Sequence, residues 1–127
     1  MTDIGNVNLG GNTATIFSKS RRPRARRYPF VASIELTNLE TETHLGGQTR
    51  DLSLFGCSID TQKTLPTGTR VRIKITHAGG SFIALGRVVY ARYTRQSSGM
   101  GIAFTYIEAK HESLLENWIA ERRDTRT

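Results

Sequence analysis

Cysteine is almost missing: Cys57 stands alone in 127 residues. No internal disulfide and no cysteine-type zinc site can form. A lone thiol suits a reducing compartment, so a cytoplasmic location is expected. Histidine is scarce as well. His44, His77 and His111 stand at no spacing that chelates a metal. His44 and His111 are expected on the surface and His77 in a turn, none of them catalytic. Cys57 follows a glycine in a short strand, and nothing adjacent would lower its pKa, so it reads as a small core residue. Carboxylates are few and scattered, and there is no Walker-type phosphate loop. The expectation is a protein that is not an enzyme and carries no metal or cofactor. No apolar run approaches the about 18 residues of a membrane span. The N-terminus lacks the basic start and apolar block of a secretory signal. Proline is rare, with 3 residues, while glycine, with 12, is frequent. That balance suits one β-rich domain with many turns.

Positive charge is not scarce. The formal net charge is +7, and five arginines between Arg21 and Arg27 supply most of it. The basicity is local to "RRPRARR", which points to one anion site rather than a basic coat.

Met1 to Ser20 is rich in Gly, Asn, Thr and Ser and has no sustained period, so it reads as a flexible tail. From Phe30 the period is two. Phe30, Ala32, Ile34 and Leu36 alternate with Val31, Ser33 and Glu35, as in a half-buried strand. A turn and a second strand, roughly Thr43 to Arg50, follow. "DLSLFGCSID" reads as a turn leading into a short strand, and "LPTGT" as a turn on Pro66 and Gly68. In "RVRIKIT", Val71, Ile73 and Ile75 face inward. "HAGG" turns into "SFIALGRVVYARY", a longer strand that is partly apolar on both faces. "SSG" turns into "MGIAFTYI", where Met100, Ile102, Phe104 and Tyr106 alternate with smaller residues. The period then changes. Leu114, Leu115, Trp118 and Ile119 form one helical stripe, with Glu108 and Glu112 near its start and Arg122 and Arg123 near its end, as the helix dipole favours. Short antiparallel strands closed by one amphipathic helix predict a small barrel with the helix packed on it.

Two constellations can carry chemistry. Arginine offers a planar fork of donors that matches phosphate oxygens and the O6/N7 edge of guanine, and its plane can stack on a base. The bland reading of the tract is a solvated tail or a nonspecific nucleic-acid arm. The second constellation is "DLSLFG", with Asp51, Ser53 and Gly56. Its structural reading is a turn whose side-chain oxygens cap backbone N–H groups. Its functional reading complements the arginines. A carboxylate accepts from the guanine N1–H and amino group, which arginine cannot do. Glycine removes the side chain where a ligand or backbone approaches closely.

Together the two motifs resemble the PilZ domain, the bacterial receptor module for cyclic di-GMP. The family pattern is an arginine pair with three residues between, two strands, then Asp or Asn-x-Ser-x-x-Gly. "RRPRAR" supplies Arg22 and Arg26, and "DLSLFG" supplies Asp51, Ser53 and Gly56. The position directly before "YPFVASIEL" selects Arg27 instead of Arg26, and both remain candidates. "LPTGTRVRIKI", "GRVVYARY" and "GMGIAFTYI" resemble the later strands, so the likeness runs from about Arg21 to Arg123. Tyr90 stands where some relatives carry an aromatic that stacks on the ligand; otherwise it reads as a barrel-lining tyrosine.

The resemblance implies a mainly β fold, a six-stranded antiparallel (split) β-barrel with a C-terminal α-helix. It implies a domain over residues 21–123, between a tail of 1–20 and a short tail of 124–127. It also implies a cyclic di-GMP receptor or adaptor that orders its arginine-rich segment on binding and signals to a protein partner. The rival readings are a degenerate PilZ domain acting only through protein contacts, and a nonspecific nucleic-acid binder. Specific nucleic-acid recognition is not expected. The nonspecific arm needs neither Asp51 nor Gly56, and few aromatics interleave with the arginines to stack bases.

Overall fold

The computed structural model describes residues 25–125. The expected tail and the first arginines of the tract, Arg22 among them, lie outside the described residues. Seven strands and one helix follow in order: β1 Tyr28–Pro29, β2 Ser33–Asn38, β3 His44–Leu52, β4 Gly56–Thr61, β5 Arg70–His77, β6 Gly80–Tyr93, β7 Ser98–Tyr106 and α1 Ala109–Thr125. The sheet order is β1-β3-β2-β5-β6-β7-β4, every pairing is antiparallel, and β4 also pairs with β3. That last pairing closes β2–β7 into a six-stranded barrel, and β1 is a short addition outside it. This is the mainly β fold that the sequence implied. Closure leaves no open edge in the barrel itself.

The alternating residues fill the interior. Ile34 and Leu36, Val71, Ile73 and Ile75, Phe82 and Val88, and Met100, Ile102 and Phe104 are all buried. The expected strand from Phe30 to Leu36 is broken. β1 ends at Pro29 and β2 begins at Ser33, yet Phe30 and Ala32 stay buried. Thr49 bridges the break. Its hydroxyl donates to the Phe30 carbonyl at 2.5 Å and accepts from the Ala32 N–H at 2.9 Å. The β5–β6 hairpin turns on Ala78 and Gly79, both at positive φ (51° and 82°). This is the two-residue geometry that matches strand twist.

The helix lies against β6 and β1. Leu115, Trp118 and Ile119 are buried as the stripe predicted. Trp118 stacks on Phe30 with ring centroids 5.4 Å apart. His77 ends β5, and its ring packs against both Phe30 and Trp118. It is a packing residue rather than a loose turn residue. His111 also departs from the surface expectation. Its Nδ1 accepts the Ile83 N–H at 3.2 Å, and its ring stands edge-on to Phe82. Among the described residues no helix is long and apolar enough to cross a membrane.

Candidate functional site

Two bulges decide which side chains reach the outer face. On β3, Thr49 pairs with Ile59 and Asp51 with Ser58, so Arg50 is an extra residue. Strict alternation from Thr49, which is buried, would turn Asp51 inward. The bulge turns it outward and sends Leu52 into the core. On β6, Val88 pairs with Ile102 and Tyr90 with Gly101, so Val89 is extra. Val88 is buried, and without the bulge Tyr90 and Arg92 would follow it inward. Instead both point out. Tyr90 therefore does not line the barrel.

The register then builds two rows across the outside of β3, β4, β7 and β6. The first is Asp51–Ser58–Gly101–Tyr90 and the second is Gln48–Asp60–Gly99–Arg92. In each row β7 contributes a glycine, and the β6 side chain crosses it to reach β4. The Tyr90 hydroxyl lies 2.9 Å from the Ser58 hydroxyl. Arg92 donates to Asp60 Oδ1 at 2.8 Å. A Cβ on Gly101 would fall 2.1 Å from the Tyr90 ring, and one on Gly99 would fall 2.2 Å from Arg92 Nη2.

Pro29 of β1 pairs with Asp51 and extends the first row. The residue just before β1 is Arg27. Its Nη1 donates to Asp51 Oδ1 at 2.7 Å and approaches the Ser58 hydroxyl at 3.4 Å, and Asp51 also accepts the Ser58 N–H at 3.1 Å. Arg27, Pro29, Arg50, Asp51, Ser58, Tyr90 and Arg92 surround an open depression of about 500 Å³. Three guanidinium groups face one carboxylate around it, so the depression favours anions. A larger hollow of about 930 Å³ lies between His44–Gln48, Asp60–Lys63 and Thr94–Ser98. It brings together neither motif and no Phe, Tyr or Trp side chain, so the smaller depression is the better candidate.

The sequence motifs divide here. Arg27, Asp51 and Tyr90 converge on the depression. Arg26 does not line it; its guanidinium sits 5.7 Å from the centroid of the Tyr28 ring. Ser53 is buried, and its hydroxyl accepts the N–H groups of Phe55 and Gly56 at 3.1 and 3.2 Å. Gly56 sits where a Cβ would come within 2.2 Å of the Ile102 carbonyl oxygen, so its bare backbone lets β4 lie close to β7. Ser53 and Gly56 thus shape the turn from the end of β3, just after Asp51, into β4. Behind the site lies Cys57. Burial pushes its thiol up to about 12, the Asp51 charge adds to this and Arg27 offsets part of it.

Sequence reasoning missed Ser58, Arg50, Arg92 and Asp60. The one signal was glycine at alternate positions of a strand, Gly99 and Gly101, which marks a close approach by another group.

Among curated proteins none matches the sequence. Solved structures do match. The inhibitor of motility MotI/DgrA from Bacillus subtilis aligns with a TM-score of 0.70 at 13% identity, over 83% of this chain and 53% of that one. The chain thus spans about half the length of that protein. The PilZ domain of YcgR from Escherichia coli, solved with c-di-GMP, aligns at 0.65 and 17% identity, over 84% of this chain and 95% of that domain. The PilZ domain of CeSA from a cellulose-synthesizing bacterium aligns at 0.57 and 20% identity, over 80% and 99%. At such identities the likeness is one of fold. The family profile described as PilZ domain matches residues 20–121. That profile covers most of the chain, and the barrel with its closing helix agrees with it: the chain belongs to the PilZ domain family.

Proposed function

We propose that this chain is a receptor for cyclic di-GMP that signals without a catalytic step. The observation that carries the reading is the convergence of Arg27, Asp51 and Tyr90 on one depression. A guanidinium offers donors to guanine O6 and N7 and to phosphate, a carboxylate accepts from N1–H and the amino group, and an aromatic face stacks on a base. The YcgR PilZ domain solved with c-di-GMP supports the choice of ligand. Arg27 and Asp51 pair with each other at 2.7 Å. Guanine would exchange that pair for two contacts of its own, on opposite edges of the base. Arg22 and Arg26 would close over the ligand from the segment ahead of β1, with Ser53 and Gly56 holding the Asp51 loop in shape. The domain would span residues 21–123, flanked by tails of 1–20 and 124–127, although α1 itself runs to Thr125. The mechanism is disorder to order: two phosphates draw the arginine segment together, and the ordered segment offers a protein partner a new surface.

Calorimetric titration tests this reading, with cyclic di-AMP and GTP as controls. Cyclic di-GMP should bind selectively, because guanine and adenine carry opposite hydrogen-bonding groups at position 6. Equal affinity for the two cyclic dinucleotides would overturn it in favour of a nonspecific anion binder. Arg22→Ala should weaken binding by about 10- to 150-fold, the worth of one charge-assisted contact, and leave the fold intact.

A further inference from the structure

We propose that Arg92 is a further ligand-binding residue, the fixed anion anchor on the barrel side of the depression. The inference rests on the cyclic di-GMP reading above and assigns one of the ligand's phosphodiesters to Arg92. Three observations carry it.

The first is direction. The extra residue Val89 turns Arg92 from the interior to the outer face, beside Tyr90 in the neighbouring row. The second is support. Arg92 crosses Gly99, where any side chain would collide with its Nη2. Asp60 Oδ1 at 2.8 Å and the Ile59 carbonyl oxygen at 3.4 Å both take Nη2. The guanidinium is therefore held by one nitrogen, and Nε and Nη1 have no partner among the described residues. Those donors match the oxygens of a phosphodiester. The third is charge. Asp60 does not line the depression, while Arg92 does. The side chain is anchored from outside the site and carries its charge into it.

Arg92 differs from Arg27 in kind. Arg27 is paired with Asp51, which guanine itself would use, so Arg27 must rearrange. Arg92 is already held in position by a residue that the ligand need not touch. A donor fixed before binding loses little conformational freedom on contact.

The test is a set of titrations with cyclic di-GMP, each paired with a melting curve. Arg92→Ala should weaken binding by about 10- to 150-fold. Arg92→Gln keeps a donor for Asp60 and removes the charge. It should melt near the wild type and bind at least about 10-fold more weakly. Arg70→Ala removes the same charge from β5, which does not line the depression, and should bind within about threefold of the wild type, as a distant screened charge does. Wild-type affinity in Arg92→Gln would overturn the assignment while the receptor reading stands. Equal losses in Arg92→Gln and Arg70→Ala would also overturn it, since net charge alone would then explain both. No cyclic di-GMP binding by the wild-type protein would overturn the receptor reading, and this inference with it.

Discussion

Asp51 braces its strand and, on the proposed function, also reads guanine, and a pair of substitutions separates the two roles. Its carboxylate accepts from Arg27 and from the Ser58 N–H, and it faces the depression. Asp51→Asn keeps one acceptor oxygen and should bind cyclic di-GMP nearly as well as the wild type. Asp51→Ala should bind more weakly by roughly 1–3 kcal/mol, the range for one good polar base contact. A role confined to bracing the loop would instead lower the melting temperature of the alanine variant and leave affinity intact in the folded fraction. Cys57 offers a second measurement. Its thiol ionises near 9 in the unfolded chain and near 12 in the folded protein. Below pH 9 both states are protonated and the thiol contributes no pH dependence. From about pH 9 to 12 only the unfolded state loses the proton, so the folded state loses stability at about 1.4 kcal/mol per pH unit. Urea midpoints across that window should fall faster for the wild type than for Cys57→Ala. Parallel curves would show that the thiol is solvated. At this scale the sequence was legible where the chemistry belongs to a residue type in a motif. The motifs offered Asp51 and a choice between Arg26 and Arg27, of which only Arg27 lines the depression, whereas Ser58 and Arg92 are ordinary strand residues until the register places them.

Among the elements, strands with strict alternation were readable and strands with an extra residue were not. Val71, Ile73 and Ile75 give β5 away. β6 looks apolar on both faces because its alternation changes phase at Val89, and the two halves cannot be told from a doubly covered strand until the pairing partner is known. Tyr106 continues the alternation of Met100, Ile102 and Phe104 in the sequence, yet it is exposed where they are buried. The pairing of β6 with β7 shifts again there, with Gly86 opposite Phe104 and Leu85 opposite Tyr106. Two substitutions probe these elements. Gly56→Ala would set a methyl against the Ile102 carbonyl, and such overpacking costs about 1–3 kcal/mol; an unchanged denaturation midpoint would show that β4 can retreat from β7. Ala78→Asn should act the other way. Alanine at φ 51° is strained, and Asn-Gly suits this turn, so a gain of up to about 1 kcal/mol is expected from urea unfolding.

For the whole molecule, barrel and helix followed from periodicity, and the family followed from two motifs in order. The depression did not, because it assembles residues from segments that only closure of the barrel brings together. Trp118→Ala should destabilise the protein by roughly 3–5 kcal/mol, measured by chemical denaturation, since the helix meets the barrel through that ring. Phe30 lies three residues after Arg27 on the same segment, and it stacks on the one tryptophan of the chain. The molecule therefore carries its own optical gauge. On the proposed function, cyclic di-GMP would draw Arg27 away from Asp51 and pull on Phe30, and Trp118 emission should move in intensity or wavelength along the binding isotherm, with no dye attached. A spectrum unmoved at saturation would mean that the segment stays rigid while its arginine changes partner.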